Sequence, residues 1–468
     1  MSAASASARS KRLPGRGLAA AAGSECWDFA ELETRAGGRA KVLRAQGLSG
    51  GQLVVVPDSP ALELLVMQQA VARLGCGLFP VNGHDADGDW GRLADSAGVE
   101  WIWRPAAGGD GRLERRSPSP AQASPQVQAA LLVATSGSQA EPKAVMLTPG
   151  NLRASAGLVN ARLGLGAGDV WLSCLPRTHV GGLMIGHRCA LAGACVLLHE
   201  GFDAEAVARD LARWRVTHLS LVPPMLGRLL ALCQGPPPSL RVLLVGGQAL
   251  SRALAREAVA EGWPLHVTYG MTETSSQVAT SALIEAPPVT GSVGPVLPGI
   301  QVDCQGTAEA PAPIRVRGGV VMAGYANPGR RPGQGLDDGW LTTADLGYFT
   351  EGGGLVVRGR ADDVLVIGGE SVVPAQVEER LLAVNELDSV VVLGIPDRAW
   401  GHRLAAAYTG RLRPEELERW CRSWLPGRLR PRQLLRLERL PRLASGKPDR
   451  RRIRRMLADP HRAAAAGG

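Results

Sequence analysis

Val133–Thr148 reads VATSGSQAEPKAVMLT. The apolar run QAALLVAT (128–135) leads into small and hydroxylated residues that end in a lysine. Thr148 and Pro149 then supply a hydroxyl cap and a proline, the start signal of a helix reaching about Leu163. A loop after a strand and before a helix suits a phosphate: its backbone N–H groups form an anion nest. Thr135, Ser136 and Ser138 add hydroxyl donors around the one glycine, Gly137, and Lys143 adds charge for a terminal phosphate. It is not a Walker loop, because Pro142 precedes Lys143 and Ala144 follows it.

Strand and helix signals alternate on both sides of this loop. GQLVVVP (51–57) and VEWIW (99–103) read as strands, and Ser59 with Pro60 reads as the N-cap and first turn of a helix to about Leu74. HLSLVPP (218–224), RVLLVGG (241–247) and PLHVTYG (264–270) are strands ending in turns, with a helix capped at Ser251 between the last two. This rhythm predicts an α/β fold of doubly wound, mostly parallel sheets, with ligands at the C-terminal ends of strands. Short β segments with glycine turns predict a small β-rich subdomain over 290–360. The texture changes again at Arg360–Asp362, which places a boundary between an N-terminal domain (26–360) and a smaller α+β C-terminal domain (361–468). Residues 1–25 hold four basic side chains and no acid before Glu25, and read as a flexible basic tail outside the fold.

Composition narrows the class. With 468 residues, 45% hydrophobic and 20% charged, the chain is globular and multidomain and not disordered. No apolar run reaches the ~18–20 residues of a membrane span. The eight cysteines are scattered with no C-x-x-C pair, which argues against a zinc site or disulfide framework and for a reducing cytoplasm. The net charge of +9 is concentrated: residues 401–468 hold 18 basic and 6 acidic side chains, against 34 and 37 in the other 400. Such a segment attracts a polyanion, a membrane surface or a phosphorylated cofactor, or is a solvated arginine-rich face. Of 52 basic residues only Lys11, Lys41, Lys143 and Lys447 are lysine, so a lysine here points to a place that needs a compact ammonium on a flexible stem.

Three further motifs carry chemistry. Tyr269, Gly270, Met271, Thr272 and Glu273 follow a strand and offer an aromatic for a base, a hydroxyl for a phosphate and a carboxylate for magnesium. Asp345 in TTAD (342–345), with Arg360 in VRGRADD, offers a carboxylate that accepts ribose hydroxyls. Lys447 sits in a Gly/Pro-flanked loop that is able to deliver it to a site. Each has an ordinary structural reading when taken singly.

Their order and spacing together resemble the adenylate-forming superfamily of acyl- and aryl-CoA ligases over residues 50–455. The phosphate-loop pattern T-S-G-[ST]-T-G-x-P-K-G appears as TSGSQAEPKA (135–144), Tyr-Gly-x-Thr-Glu is intact at 269–273, and Gly-Arg-x-Asp stands at 359–362. Gln139 and Ala140 replace a hydroxyl and a glycine of that pattern, which predicts a stiffer loop with fewer β- and γ-phosphate contacts. LPRTHVGGL (175–183), YGMTETSSQ (269–277) and IGGESVVPAQVE (367–378) look most similar to the 2-succinylbenzoate–CoA ligases of menaquinone and phylloquinone synthesis.

The resemblance implies two steps: a carboxylate attacks the α-phosphate of ATP to give acyl-AMP, and coenzyme A then displaces AMP. It implies Lys447 bridging the two reacting anions, Mg²⁺ near Glu273, and Thr272 with the loop positioning phosphates. Gly246, Gly247, Gln248 and Tyr269 frame the adenine, and Asp345 and Arg360 the ribose. Asp362 matches a hinge about which a mobile C-terminal domain turns, Gly368 and Gly369 flank the coenzyme A arm, and the basic segment meets its phosphates. His179, Gly181, Gly182, Ser276 and Gln277 fall where the acid pocket begins. Arg177, His187 and Arg188 join Ser276 and Gln277 as candidates for a second substrate carboxylate. No Asp for a substrate amine stands in CLPRTHVGGLM, which disfavours amino-acid activation. The expected partners are a small carboxylic acid, ATP and coenzyme A, with no nucleic acid and no membrane span; the oligomeric state, a homo-oligomer included, stays open. The rival readings are a benzoate-, cinnamate- or fatty acyl-CoA ligase, a degenerate nucleotide binder, and a protein docked on nucleic acid or membrane through its basic segment.

Overall fold

The computed structural model describes residues 17–57, 59–82, 89–106, 109–116, 127–135, 142–286, 288, 291–367, 370–384, 386–397, 401–442 and 448–458. Two large mixed sheets carry the N-terminal domain. The first runs Ser276–Thr280, Leu265–Met271, Val242–Val245, His218–Leu221, Val170–Ser173, Cys195–Leu198, Leu18–Ala22, Glu25–Asp28. Its six inner strands are parallel and an antiparallel strand closes each end. The second runs Gly324–Tyr325, Lys143–Leu147, Leu131–Thr135, Gly77–Val81, Leu53–Pro57, Trp101–Ala106, Gly109–Arg115, with four parallel strands at its centre. Inner strands such as VLLV (242–245) are apolar throughout because both faces are covered.

One core is shared by the two sheets. The helix Ala61–Arg73 runs through it and buries Ala61, Leu62, Leu64, Leu65, Val66, Met67, Ala70 and Val71, as a helix covered on most sides must. A five-stranded antiparallel sheet follows, ordered Ser292–Gly294, Leu355–Arg360, Leu341–Phe349, Ala312–Arg317, Gln301–Asp303. The C-terminal domain packs the helices Pro374–Leu381, Pro414–Trp424 and Arg450–Ala458 on the three-stranded sheet Leu387–Asp397, Gly401–Gly410, Gln433–Arg436. Among the described residues no helix is long and apolar enough to cross a membrane.

Four local expectations need correction. Leu18–Ala22 is not tail but a strand inside the first sheet, parallel to Cys195–Leu198, with Ala20 and Ala21 fully buried. LAAAA has little strand propensity; methyl-sized side chains fit the slot, and Gly23 (φ +58°) turns the chain back into Glu25–Asp28. Ser59 does not cap the helix at 61, since its hydroxyl donates to the Pro57 carbonyl. The helix start is satisfied from afar: the Ala61 N–H donates to the Glu200 carboxylate at 3.0 Å. The chain after the phosphate loop enters the strand Lys143–Leu147, paired antiparallel with Leu131–Thr135, so the described segments on either side of the loop are two strands and not a strand and a helix. The helix Pro149–Leu163 comes one element later, with the expected Thr148 cap. Finally, Gly324–Tyr325 leaves the β-rich region and pairs with Lys143–Leu147.

Ala20→Asp places a carboxylate in a fully buried slot and is expected to destabilise the protein by about 3 kcal/mol or more. Urea unfolding measures it; an unchanged midpoint would mean that Leu18–Ala22 is not integral to the sheet.

Candidate active site

Among the described candidates, Tyr269, Glu273, Asp345, Arg360 and Lys143 come together where strands of the three N-terminal sheets meet. Tyr269 lies near the end of Leu265–Met271, and that strand turns directly into Ser276–Thr280. Gly270 makes the turn sterically feasible, because a Cβ there would lie 1.6 Å from the Ser276 carbonyl oxygen. Thr272–Thr274 form one 3₁₀ turn, and Ser275 (φ 52°) and Ser276 (φ 111°) hold left-handed backbone behind it. Buried hydrogen bonds sustain this conformation. The Ser275 hydroxyl donates to the Val320 carbonyl at 2.8 Å, and the Ser155 hydroxyl to the Ser275 carbonyl at 2.7 Å.

Around this turn the two site carboxylates are each held by a tyrosine. The Tyr269 hydroxyl donates to Asp345 Oδ2 at 2.8 Å, and the Tyr325 hydroxyl to Glu273 Oε1 at 3.1 Å. Burial, and then the adjacent Asp345 charge, push the Tyr269 phenol well above its usual range, so it stays a donor. Asp345 and Arg360 are cross-strand partners, with Arg360 Nη1 3.7 Å from Asp345 Oδ1. Arg360 Nη2 also donates to Asp362 at 2.9 Å, which links the expected ribose pair to the expected hinge.

Lys143 extends over the Tyr325 ring, its Nζ 4.6 Å from the centroid. Asn327 braces the same arm: it accepts from the Ala144 N–H at 2.8 Å and donates to the Pro142 carbonyl at 3.3 Å. Thr135 donates to the Lys143 carbonyl at 3.2 Å. Ser136, Gly137, Ser138, Gly368, Gly369 and Lys447 lie outside the described residues. The flanks of Lys447 are described: Arg442 pairs with Pro448, and Arg450 ion-pairs with Glu378 at 3.0 Å and approaches Asp363 at 4.0 Å. Gly246 abuts Thr268, where a Cβ would be 2.6 Å from Cγ2, and Gly247 (φ +77°) turns the chain to Gln248.

On the expected acid side, His179 is the N-cap residue of the helix Val180–Ala192. Gly182 does not leave room for a ligand: a Cβ there would meet the Pro176 carbonyl oxygen at 2.4 Å, so that space holds backbone. Gly181 is looser, with Leu175 Cδ1 at 3.6 Å. Gln277 is buried and accepts from the Thr280 hydroxyl at 2.6 Å. Arg177 is engaged by Glu200 and the His199 carbonyl, and burial lowers the His187 pKa to about 4, which keeps it neutral. Arg188 is different. It is 1% exposed, donates to the Ser276 hydroxyl at 2.9 Å, and stacks on Trp171 at 5.3 Å. No described carboxylate ion-pairs with it, its Nε has no partner, and burial lowers its pKa to about 10.

Tyr325 and Asn327 were not among the sequence candidates. The available signal was rarity: the chain has four tyrosines, and two of them hold site carboxylates.

Fold and site define a two-domain nucleotide-dependent ligase architecture. The model of the AMP-binding enzymes matches residues 85–327, and that of their C-terminal domain matches 376–447. The chain belongs to the AMP-binding enzyme family and is an AMP-forming acyl-CoA ligase. A 2-succinylbenzoate–CoA ligase of Bacillus mycoides is 38% identical over 341 residues, covering 71% of each chain. The O-succinylbenzoate coenzyme A synthetase of Bacillus subtilis, solved with ATP and magnesium ion, superposes at a TM-score of 0.81 with 27% identity over 95% of this chain and 97% of that one. ATP-bound MatB of Rhodopseudomonas palustris shares the fold at a TM-score of 0.80, with 24% identity over 95% and 97% of the two chains.

Ser276→Ala removes the acceptor from a buried guanidinium and is expected to destabilise by about 1–3 kcal/mol in urea unfolding. A change below about 0.5 kcal/mol would show that Arg188 does not depend on Ser276.

Proposed function

We propose that this ligase activates an aromatic acid bearing a second carboxylate, with 2-succinylbenzoate as the substrate, in the cytoplasm as part of menaquinone formation. The observation that carries the substrate class is Arg188: a buried guanidinium with no described counter-charge beside Ser276. A buried unpaired cation is unfavourable in the empty protein and favourable when an anion arrives to meet it. Arg177 is already engaged and His187 is neutral, so among the polar candidates Arg188 is the one that offers charge. The similarity to the Bacillus enzymes named for this acid supports the same choice.

The chain's own residues account for the first step as follows. Two anions, the carboxylate and the α-phosphate, must approach, so cations must be aimed at the developing charge. Lys447 serves there, and the described chain that follows it is tied through Arg450 to Glu378. Thr272 and the loop residues Thr135, Ser136, Gly137, Ser138 and Lys143 hold phosphate oxygens. Tyr269 and Gly246–Gln248 frame the adenine, and Asp345 with Arg360 accepts and orients the ribose. Glu273 fits magnesium: one carboxylate beside a triphosphate is the donor set that ion takes, and no described cluster of three or more metal-binding side chains competes for it. Bound with ATP, magnesium neutralises phosphate charge and polarises the reacting phosphoryl group. For the second step, the domain beyond Asp362 turns, Gly368 and Gly369 pass the thiol arm, and the basic C-terminal segment meets the phosphates of coenzyme A.

Arg188→Met tests the substrate reading. Acid-dependent exchange of pyrophosphate into ATP is compared for 2-succinylbenzoate and for the analogue that keeps the reacting carboxylate and lacks the second one. The variant is expected to lose about 10–100-fold in kcat/KM for the diacid only, with no fall in Tm, because an unpaired buried charge has been removed. Equal losses for both acids would contradict the role of Arg188. Wild-type exchange with other acids but none with 2-succinylbenzoate would remove that substrate.

A further inference from the structure

Tyr325 has no part in the mechanism above, yet it touches both charged groups assigned to the magnesium–triphosphate. It reaches them by the strand exchange already described: Gly324 and Tyr325 pair with Met146 and Val145, which places the ring beside Lys143. Lys143 Nζ lies 4.6 Å from the ring centroid, and the hydroxyl donates to Glu273 Oε1 at 3.1 Å. The ring cannot drift. Its backbone N–H donates to the Gln334 carbonyl at 3.0 Å. Gly335 (φ +86°) packs so closely that a Cβ there would be 2.5 Å from the ring. Met322, three residues earlier, donates its N–H to the Glu273 carbonyl at 2.8 Å, so the same segment grips Glu273 through main chain and side chain.

The two contacts do different work. A cation over a ring is attracted to it without being neutralised, so Lys143 keeps its charge for a phosphate while its long stem is held in one region. A hydroxyl bound to one carboxylate oxygen fixes the plane of the group and leaves the other oxygen for a metal ion. We propose that Tyr325 is a positioning residue for magnesium–ATP, with its ring placing Lys143 and its hydroxyl orienting Glu273. This rests on the ligase reading above and adds a residue to it. The substitutions separate the two contacts: Tyr325→Phe keeps the ring and deletes the hydroxyl bond, whereas Tyr325→Leu deletes both.

The test uses the full chain and two binding measurements. Mn²⁺ binding to protein saturated with a non-hydrolysable ATP analogue is read by electron paramagnetic resonance, and analogue binding at saturating metal is read by calorimetry. Tyr325→Phe is expected to weaken Mn²⁺ binding about threefold to tenfold and to change analogue affinity less than about twofold. Tyr325→Leu is expected to lose about a further twofold to fivefold in analogue affinity. That second loss should vanish in a Lys143→Ala background, since the ring acts through Lys143. Unchanged Mn²⁺ affinity in Tyr325→Phe, or a Tyr325→Leu loss that persists without Lys143, overturns the proposal and leaves the ligase reading standing. A wild-type chain that binds no analogue overturns both.

Discussion

The hydrogen bond from Tyr269 to Asp345 joins the end of the eight-stranded sheet to the five-stranded sheet, and the geometry of the site depends on it. On one side of the bond, Gly270 lets the chain cross within contact of the Ser276 carbonyl, so Tyr269, Glu273 and Ser276 all take their places from one tight turn. On the other side, Asp345 faces Arg360, and Arg360 reaches Asp362 just past the end of the strand Leu355–Arg360. Burial keeps the phenol protonated, so the bond is a donor–carboxylate contact of the stronger kind, worth about 1.5–3 kcal/mol. An aromatic ring, a carboxylate and the end of the five-stranded sheet are thereby held in one frame.

The distribution of charge follows from the reaction. Two anions must meet, so a free carboxylate nearby is a liability unless it is oriented. Glu273 and Asp345 are both restrained by a tyrosine hydroxyl. Cations are treated in the opposite way. Arg188 is buried with no described counter-ion, and Lys143 rests on a ring, a contact that does not neutralise its charge. Arg177, by contrast, is consumed by Glu200, the same carboxylate that satisfies the start of the helix Ala61–Arg73.

Much of the architecture was legible in the sequence because it was written in local patterns. Apolar runs such as VLLV (242–245), the Thr148 cap and the glycine turns after strands each report their own neighbourhood, and the structure bears them out. The failures share one cause: the deciding partner was far away in the chain. LAAAA became a strand because a slot beside Cys195–Leu198 accepts methyl groups, and Ser59 lost its capping role to Glu200. The loop before Lys143 looked helix-bound because a short strand was hidden between loop and helix. In the site, sequence named the residues of each motif but not which of them touch. Arg188 could not be ranked above Arg177 without knowing which one Glu200 neutralises, and Tyr325 gave no sign that its strand crosses to another sheet.

The most direct measurement is a chase of the adenylate. Wild-type protein is mixed with ATP, Mg²⁺ and 2-succinylbenzoate without coenzyme A, and the nucleotide products are resolved before and after the thiol is added. A ligase built as described forms about one acyl-AMP per protein with release of pyrophosphate, then frees AMP as the thioester appears. Formation of ADP, or AMP release that ignores both the acid and the thiol, would contradict it.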